Sequence, residues 1–279
     1  MTTRSARRTR GIRRTVPVTG AGVAALLVLS ACSSSSGSDS GSGAAGSSSS
    51  SSAKVSGTVT VFAAASLEES FTALGKAFEK EHPDARVTFN FGGSDTLAAS
   101  ITSGAPADVF ASAGPRTMAT VTDAGDAAGT PTTFVRNQLE IATLPGNPDG
   151  ISSLKDLTRS GLKVVLCDRT VPCGAAAQKA LKAGGLQLTP ASYEQDVKSA
   201  LTKVELKEAD AAVVYKTDVK AAGDKVEGVD FPESAEAVND YPIALLKQAP
   251  NADAGKAFIA LVKSAEGQRV LTEAGFRTP

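Results

Sequence analysis

The stretch that most constrains how this chain can fold is 59–71, Val-Thr-Val-Phe-Ala-Ala-Ala-Ser-Leu-Glu-Glu-Ser-Phe. Val59 and Val61 flank a threonine in the alternation of a short strand. Three alanines follow, then Ser66 at the turn, where a helix N-cap belongs. Glu69, three residues on, completes a Ser-x-x-Glu capping pattern. Leu67, Phe71, Leu74 and Phe78 then recur at helical spacing. A strand that feeds a helix start sets unpaired N–H groups and the positive end of the helix dipole beside the strand end, a natural place for an anion. The same pattern also suits an ordinary capped helix, so it limits local structure more than function.

Further along, 87–91 alternates as a second strand and Gly92-Gly93 breaks it. Ser94 is a second candidate N-cap, with Leu97 and Ile101 on one helical face and Gly104 as a stop. A short buried strand over 108–111 and a helix opened by Pro115 extend the β-α-β-α-β-α order of a parallel sheet flanked by helices. After Gly129-Thr130-Pro131 the plan repeats. Strands are expected over 139–144, 163–167 and 211–215, with helices over 174–183, 196–204 and 217–222. A strand over 241–246 and helices over 253–262 and 265–274 close the chain, with Gly275 as a stop. Two α/β units joined by two chain crossings predict a bilobal body with a cleft: residues 54–133 completed by 240–279, and residues 134–239. Ligands of open α/β sheets sit beyond the carboxyl ends of the strands, where Ser66 and Ser94 fall.

The first 53 of the 279 residues read as processing and tether rather than fold. Six arginines and no acid precede an apolar run over 16–29, which is too short to span a membrane comfortably and suits a signal peptide. The run closes on Leu29-Ser30-Ala31-Cys32, which resembles a bacterial lipobox: cleavage after residue 31 and a lipid on the Cys32 sulfur. Residues 33–52, almost all serine and glycine, cannot bury a core and would reach about 25 Å as a flexible coil. Removal of 1–31 leaves 23 basic and 29 acidic residues, net −6. No basic face for nucleic acid is implied.

Catalysis finds little support. His82 is the single histidine and precedes Pro83 at the end of the first helix, so a Ser-His-Asp triad on Ser66 lacks its base. There is no Gly-x-Ser-x-Gly elbow and no Walker loop, and no zinc spacing remains once Cys32 is assigned to lipid. Cys167 and Cys173 are left, and in an exported chain such a pair is expected as a disulfide, the alternative being two buried thiols. Closing so short a loop contributes about 2 kcal/mol in the chain-entropy account and would stiffen the entry to the helix at Gly174.

Several motifs, taken together, resemble one family. Val-Phe-Ala-Ala-Ala-Ser-Leu at 61–67, Gly-Ala-Pro-Ala-Asp-Val-Phe-Ala-Ser-Ala at 104–113, Val-Pro-Cys-Gly at 171–174, Val-Val-Tyr at 213–215 and Tyr-Pro at 241–242 follow in the order found in molybdate-binding proteins of bacterial ABC transporters. The resemblance covers 58–279 and implies an α/β, two-lobe type II periplasmic-binding-protein fold, each lobe a mostly parallel sheet flanked by helices. It further implies that Ser66 and Ser94 each offer a hydroxyl and a backbone N–H to an oxyanion, that Cys173 and Val197 offer backbone N–H groups, and that Tyr215 offers its phenol. Cys173 stands where the family often has alanine, which a backbone donor tolerates. Arg169 stands where proline is common and reads as solvated surface.

The reading is then a non-catalytic, extracytoplasmic, monomeric binding protein, anchored to the membrane through Cys32. It captures molybdate, and tungstate with it, for a permease and its ATPase. It needs no cofactor, and the molybdenum has no direct protein ligand. Sulfate is the alternative within the fold, and an exported serine hydrolase the alternative outside it. A ferric-iron site would want clustered tyrosines, and the chain has only Tyr193, Tyr215 and Tyr241.

Overall fold

The computed structural model describes residues 55–279. The expected signal, Cys32 and the serine tether lie outside the described residues. Within Ser52–Pro279, one compact unit, the chain runs β1 (Gly57–Ala64), a 3-10 turn (Ala65–Leu67), α1 (Glu68–Glu81), β2 (Ala85–Gly92), α2 (Ser94–Thr102), β3 (Val109–Ala111), α3 (Pro115–Asp123), β4 (Thr132–Asn137) and β5 (Leu139–Thr143). It continues through β6 (Val164–Cys167), α4 (Pro172–Ala183), β7 (Ser192–Glu194), α5 (Val197–Glu205), β8 (Ala211–Tyr215), α6 (Lys216–Ala222) and β9 (Glu227–Val229). The last elements are β10 (Asn239–Leu245), α7 (Ala252–Lys263) and α8 (Ala265–Glu273).

Two five-stranded sheets result, in the orders β2-β1-β3-β10-β4 and β7-β6-β8-β5-β9. In the first, β1 pairs in parallel with β2 and β3, while β10 pairs antiparallel with both β3 and β4. In the second, β6 pairs in parallel with β7 and β8, while β5 pairs antiparallel with both β8 and β9. Each sheet thus holds four strands in one direction and a single reversed strand in the fourth place. That reversed strand is in each case the one that has just crossed from the other lobe: β5 follows β4 after Gln138, and β10 follows β9. The crossings keep the chain continuous between lobes and set Asn137 opposite Asn239 as strand partners.

The first crossing differs from the boundary drawn at 133 from sequence. Thr132–Asn137 belongs to the first sheet, because β4 pairs with β10 from the far end of the chain. Thr-Thr-Phe-Val-Arg-Asn carries too little alternation to announce that pairing. The other expected strands and helices form within a few residues of their expected ends. Pro115 and Pro172 each stand at the first turn of a helix, where a missing N–H costs nothing.

Burial follows the sheets. Phe71, Phe78, Phe134 and Phe258 interlock in the first lobe, with Phe258 edge-on to Phe71 and Phe78 at 5.8 and 5.6 Å between ring centroids. The second lobe packs small and branched side chains such as Val165, Leu166, Ala176, Ala180, Val204 and Val213. His82 caps the C-terminal end of α1 and lies against Phe78.

Candidate functional site

Between the lobes, at the ends of β1, β2 and β8, lies a cavity of about 20 Å³. A single water needs roughly 10–15 Å³ by the same measure, so the space suits one small ion rather than an organic molecule. Ser66, Ser94, Cys173, Val197 and Tyr215 all line it. No lysine or arginine is in its lining, and among the described residues no group of His, Cys, Asp and Glu is arranged to hold a metal ion.

The cavity is built from helix starts. Ser94 is the first residue of α2 and Val197 the first of α5, while Cys173 follows Pro172 at the start of α4. The first N–H groups of each helix have no partner inside it, and three positive helix ends meet around one small space. At α5 the Asp196 side chain caps the helix, accepting from the Ser199 N–H at 2.8 Å and from Ser199 Oγ at 2.9 Å. Asp196 also lines the cavity, but both of its oxygens are engaged in this cap.

Neither serine caps a helix as its sequence pattern suggested. A 3-10 turn intervenes before α1, and Ser66 Oγ lies 2.8 Å from the Tyr241 hydroxyl. Glu69, the other half of the expected box, reaches Lys198 Nζ of the second lobe at 2.6 Å. Ser94 stands one residue inside α2, and its Oγ accepts from the Ala113 N–H at 3.0 Å. In both places tertiary partners outbid the local backbone for the hydroxyl.

Tyr215 ends β8 and is fully buried. Its Oη accepts from Asn239 Nδ2 at 2.9 Å, and the same nitrogen donates to the Ala113 carbonyl at 2.7 Å. Burial pushes the Tyr215 phenol well above its ordinary value, with Tyr241 and Asp218 adding to the rise. Burial also raises Tyr241, so both phenols keep their protons. Behind Tyr215, Asp218 Oδ2 accepts the Tyr215 N–H at 3.0 Å. Burial lifts this carboxyl to about 7 against the pull of Lys198, 3.6 Å away.

The Cys167–Cys173 disulfide is formed, with the Cα atoms 5.8 Å apart. It brackets the loop that delivers Val171, Pro172 and Cys173 to the cavity. The loop is folded hard against α4: a Cβ on Gly174 would lie 1.8 Å from the Asp168 carbonyl, so only glycine fits. The first lobe grips the same loop, Arg116 donating to the carbonyl of Thr170. Across the cavity, a Cβ on Gly93 would come within 2.6 Å of the Gln195 carbonyl of the other lobe. Arg169 lies outside the cavity lining and turns to Tyr193, Nη2 to Oη 3.2 Å. Sequence reasoning missed Asn137, Asn239, Tyr241, Lys198 and Asp218. Of these, only Tyr241 carried a signal, through its place in the Tyr-Pro motif.

Comparison with known proteins follows the same lines. A family described as bacterial extracellular solute-binding protein matches residues 59–277. The molybdate-binding protein of Mycobacterium tuberculosis is 45% identical over 222 residues, 80% of this chain and 85% of the relative. Among solved structures, the periplasmic molybdate-binding protein of Azotobacter vinelandii superposes with a TM-score of 0.69 at 21% identity, covering 79% of this chain and 99% of its own. The sulfate-binding protein of Mycobacterium tuberculosis superposes with a TM-score of 0.68 at 19% identity, covering 79% and 86%. At those identities the two structures speak for the fold and not for the ion.

Proposed function

The chain belongs to the bacterial extracellular solute-binding proteins, and from that premise we propose that it captures molybdate, and tungstate with it, for an ABC importer. The observation that carries this reading is the convergence of Ser66, Ser94, Cys173, Val197 and Tyr215 on one ion-sized cavity. Hydroxyls and helix-start N–H groups can hold a dianion by charge-assisted hydrogen bonds, without a lysine or arginine. In this reading the two serines and the phenol each donate a side-chain hydrogen bond, and Cys173 and Val197 donate from the backbone. The ion is bound as an oxyanion, with no bond from protein to metal, no cofactor and no chemical step. The 45% identity to a molybdate-binding protein supports this ion over sulfate.

The same proposal includes delivery to a permease and its ATPase by a monomer held at the membrane through a lipid on Cys32. The lipobox-like Leu29-Ser30-Ala31-Cys32 and the serine tether support that anchor. Titration calorimetry with molybdate, tungstate, sulfate and phosphate tests the ligand. Molybdate and tungstate should compete closely, with sulfate weaker and phosphate weakest. Ser66→Ala and Tyr215→Phe should each weaken molybdate roughly ten- to a hundredfold, the loss of one charge-assisted hydrogen bond of about 1.5–3 kcal/mol. Val197→Ala should change affinity little, since a backbone donor survives the substitution. Sulfate binding as tightly as molybdate would move the assignment to sulfate.

A further inference from the structure

Each hydroxyl that faces the cavity has a second neighbour, and at Ser94 and Tyr215 the direction of that hydrogen bond can be settled. Ser94 Oγ is contacted by the Ala113 backbone N–H, which can only donate. Tyr215 Oη is contacted by the Asn239 amide. An amide can turn either end to a hydroxyl, but the Asn239 atom that touches Tyr215 also touches the Ala113 carbonyl oxygen, which can only accept. That atom is therefore the NH2 nitrogen, and Tyr215 accepts. The Asn137 amide is oriented in the same way from its other end. Its Oδ1 accepts from the Gln138 N–H at 3.0 Å, so its nitrogen faces Thr217 at 2.8 Å and Tyr241 Oη at 3.3 Å. Tyr241 then accepts from Asn137, which favours giving its own proton to Ser66 Oγ, 2.8 Å away, where either oxygen can be the donor.

We infer that Asn239 and Asn137, the paired asparagines at the two chain crossings, are positioning residues that turn the Tyr215 and Ser66 hydroxyls to the cavity as donors and so select against oxyanions that carry a proton. The inference rests on the oxyanion reading of the cavity and says which protein groups, beyond the ligands, enforce its selectivity. A hydroxyl left to itself is both donor and acceptor and can receive a proton from hydrogen phosphate by rotating. Here a fixed N–H occupies one lone pair of Ser94 and of Tyr215, and Ser66 is paired with Tyr241. The remaining outlet for the Ser66 and Tyr215 protons inside the protein is the Tyr241 oxygen. That oxygen already accepts from Asn137 and has room for one more bond, so both protons cannot retreat there. A dianion in the cavity draws both. The acid in the lining, Asp196, turns one lone pair of each oxygen to Ser199, which fixes its carboxylate in the helix cap rather than in the cavity hydroxyl network. A proton on the bound ion would find no free acceptor among the cavity hydroxyls.

Asn239→Asp reverses one of these bonds. The carboxylate can only accept, so it takes the Tyr215 proton and leaves the phenol oxygen facing the cavity as an acceptor. The experiment measures affinities for molybdate, sulfate and phosphate by competition calorimetry at mildly alkaline pH, where phosphate is a dianion with one proton. All three ions then carry the same charge, so the repulsion from the new carboxylate cancels in their ratios. The variant should weaken molybdate and sulfate while raising the phosphate-to-sulfate affinity ratio about tenfold or more. Asn239→Leu removes the donor without adding an acceptor, and should raise the ratio less. It also carries the test if the charged variant fails to fold, as judged by its melting curve. Adding Tyr215→Phe to Asn239→Asp should abolish the shift, because the effect passes through that hydroxyl. Equal loss of all three ions in both Asn239 variants would overturn the inference while leaving the oxyanion reading intact. A parent protein that binds none of the three would overturn both.

Discussion

In the first lobe the sheet closes over rings: Phe71, Phe78, Phe134, Phe258 and Phe276 lie in one buried cluster with Tyr241. In the second, the same strand plan closes over valine, leucine and alanine, with Tyr215 and Phe231 as its buried aromatic side chains. The lobe with the rings presents its helix starts without a covalent tie. The lobe with the small side chains has one, the Cys167–Cys173 bridge, at the loop that enters α4. Strand order and reversed-strand placement therefore do not dictate what fills a core. A site shared by two lobes needs both halves held to within a fraction of an ångström, and here large interlocking rings do in one lobe what a short disulfide does in the other.

The sharpest way to break that contrast is to remove a principal device from each side. Phe258→Ala takes out a fully buried ring that touches Phe71, Phe78 and Phe89, and should cost about 3–5 kcal/mol in urea unfolding. Reduction of the disulfide reopens a loop of sequence separation 6 and should cost about 2 kcal/mol. If reduction costs more than the ring, the bridge is the stronger of the two devices and the second lobe depends on it more than the first depends on its rings.

The lobes also differ in how they bury a carboxylate. Asp108 in the first lobe accepts the Thr60 N–H at 2.7 Å on one oxygen and the Asn251 N–H at 2.5 Å on the other. Asp218 in the second accepts only the Tyr215 N–H, and its Oδ1 has no hydrogen-bond partner. Burial raises the Asp218 carboxyl from 3.8 to about 7, with Lys198 opposing and Glu69 adding to the rise. A carboxyl whose folded value lies above its unfolded one holds a proton that the unfolded chain has already released. Its contribution to stability is then complete below pH 3.8 and is lost as pH rises through about 7. Asp218→Asn should remove that decline, so parent and variant unfolding curves should diverge between those limits. A parent whose stability rises steadily over the same range, with the variant following it, would show Asp218 already ionised in the fold.

How much of this was legible in the sequence depends on the range of the forces involved. The strands and helices around the cavity follow from periodicity and from Gly and Pro stops, because those signals are local. β4 was not legible, since Thr132–Asn137 becomes a strand through β10, more than a hundred residues away. Ser66 and Ser94 stood out as N-caps for a local reason and serve the cavity for a tertiary one. Their partners, Tyr241 and the Ala113 N–H, arrive from other elements. Asn137 and Asn239 gave no signal at all. An asparagine is noticed in sequence as a turn or cap residue, and neither plays that part; their meaning lies in the pairing of the two crossings.

The smallest expected effect lies where the lobes touch. Lys198, on α5 of the second lobe, reaches Glu69 of the first at 2.6 Å and Asp218 of its own lobe at 3.6 Å. Burial works against the charge on Lys198, but Asp218 and then Glu69 outweigh it and raise its pKa. The two partners are unlike. Asp218 is wholly buried, so loss of Lys198 would strand it, whereas the Glu69 side chain is 53% exposed and can return to water. An exposed ion pair contributes about 0.2–1 kcal/mol. Because this one spans the lobes, its loss acts on closure around the ion more than on folding. Glu69→Gln should therefore weaken molybdate only about two- to fivefold at low salt, with the difference fading as ionic strength rises past the screening range. The melting temperature of the ligand-free protein should hardly move. A loss above tenfold, or one indifferent to salt, would mean that Glu69 supports the cavity itself and that the lobes are held together at their rim by more than hydrated charge.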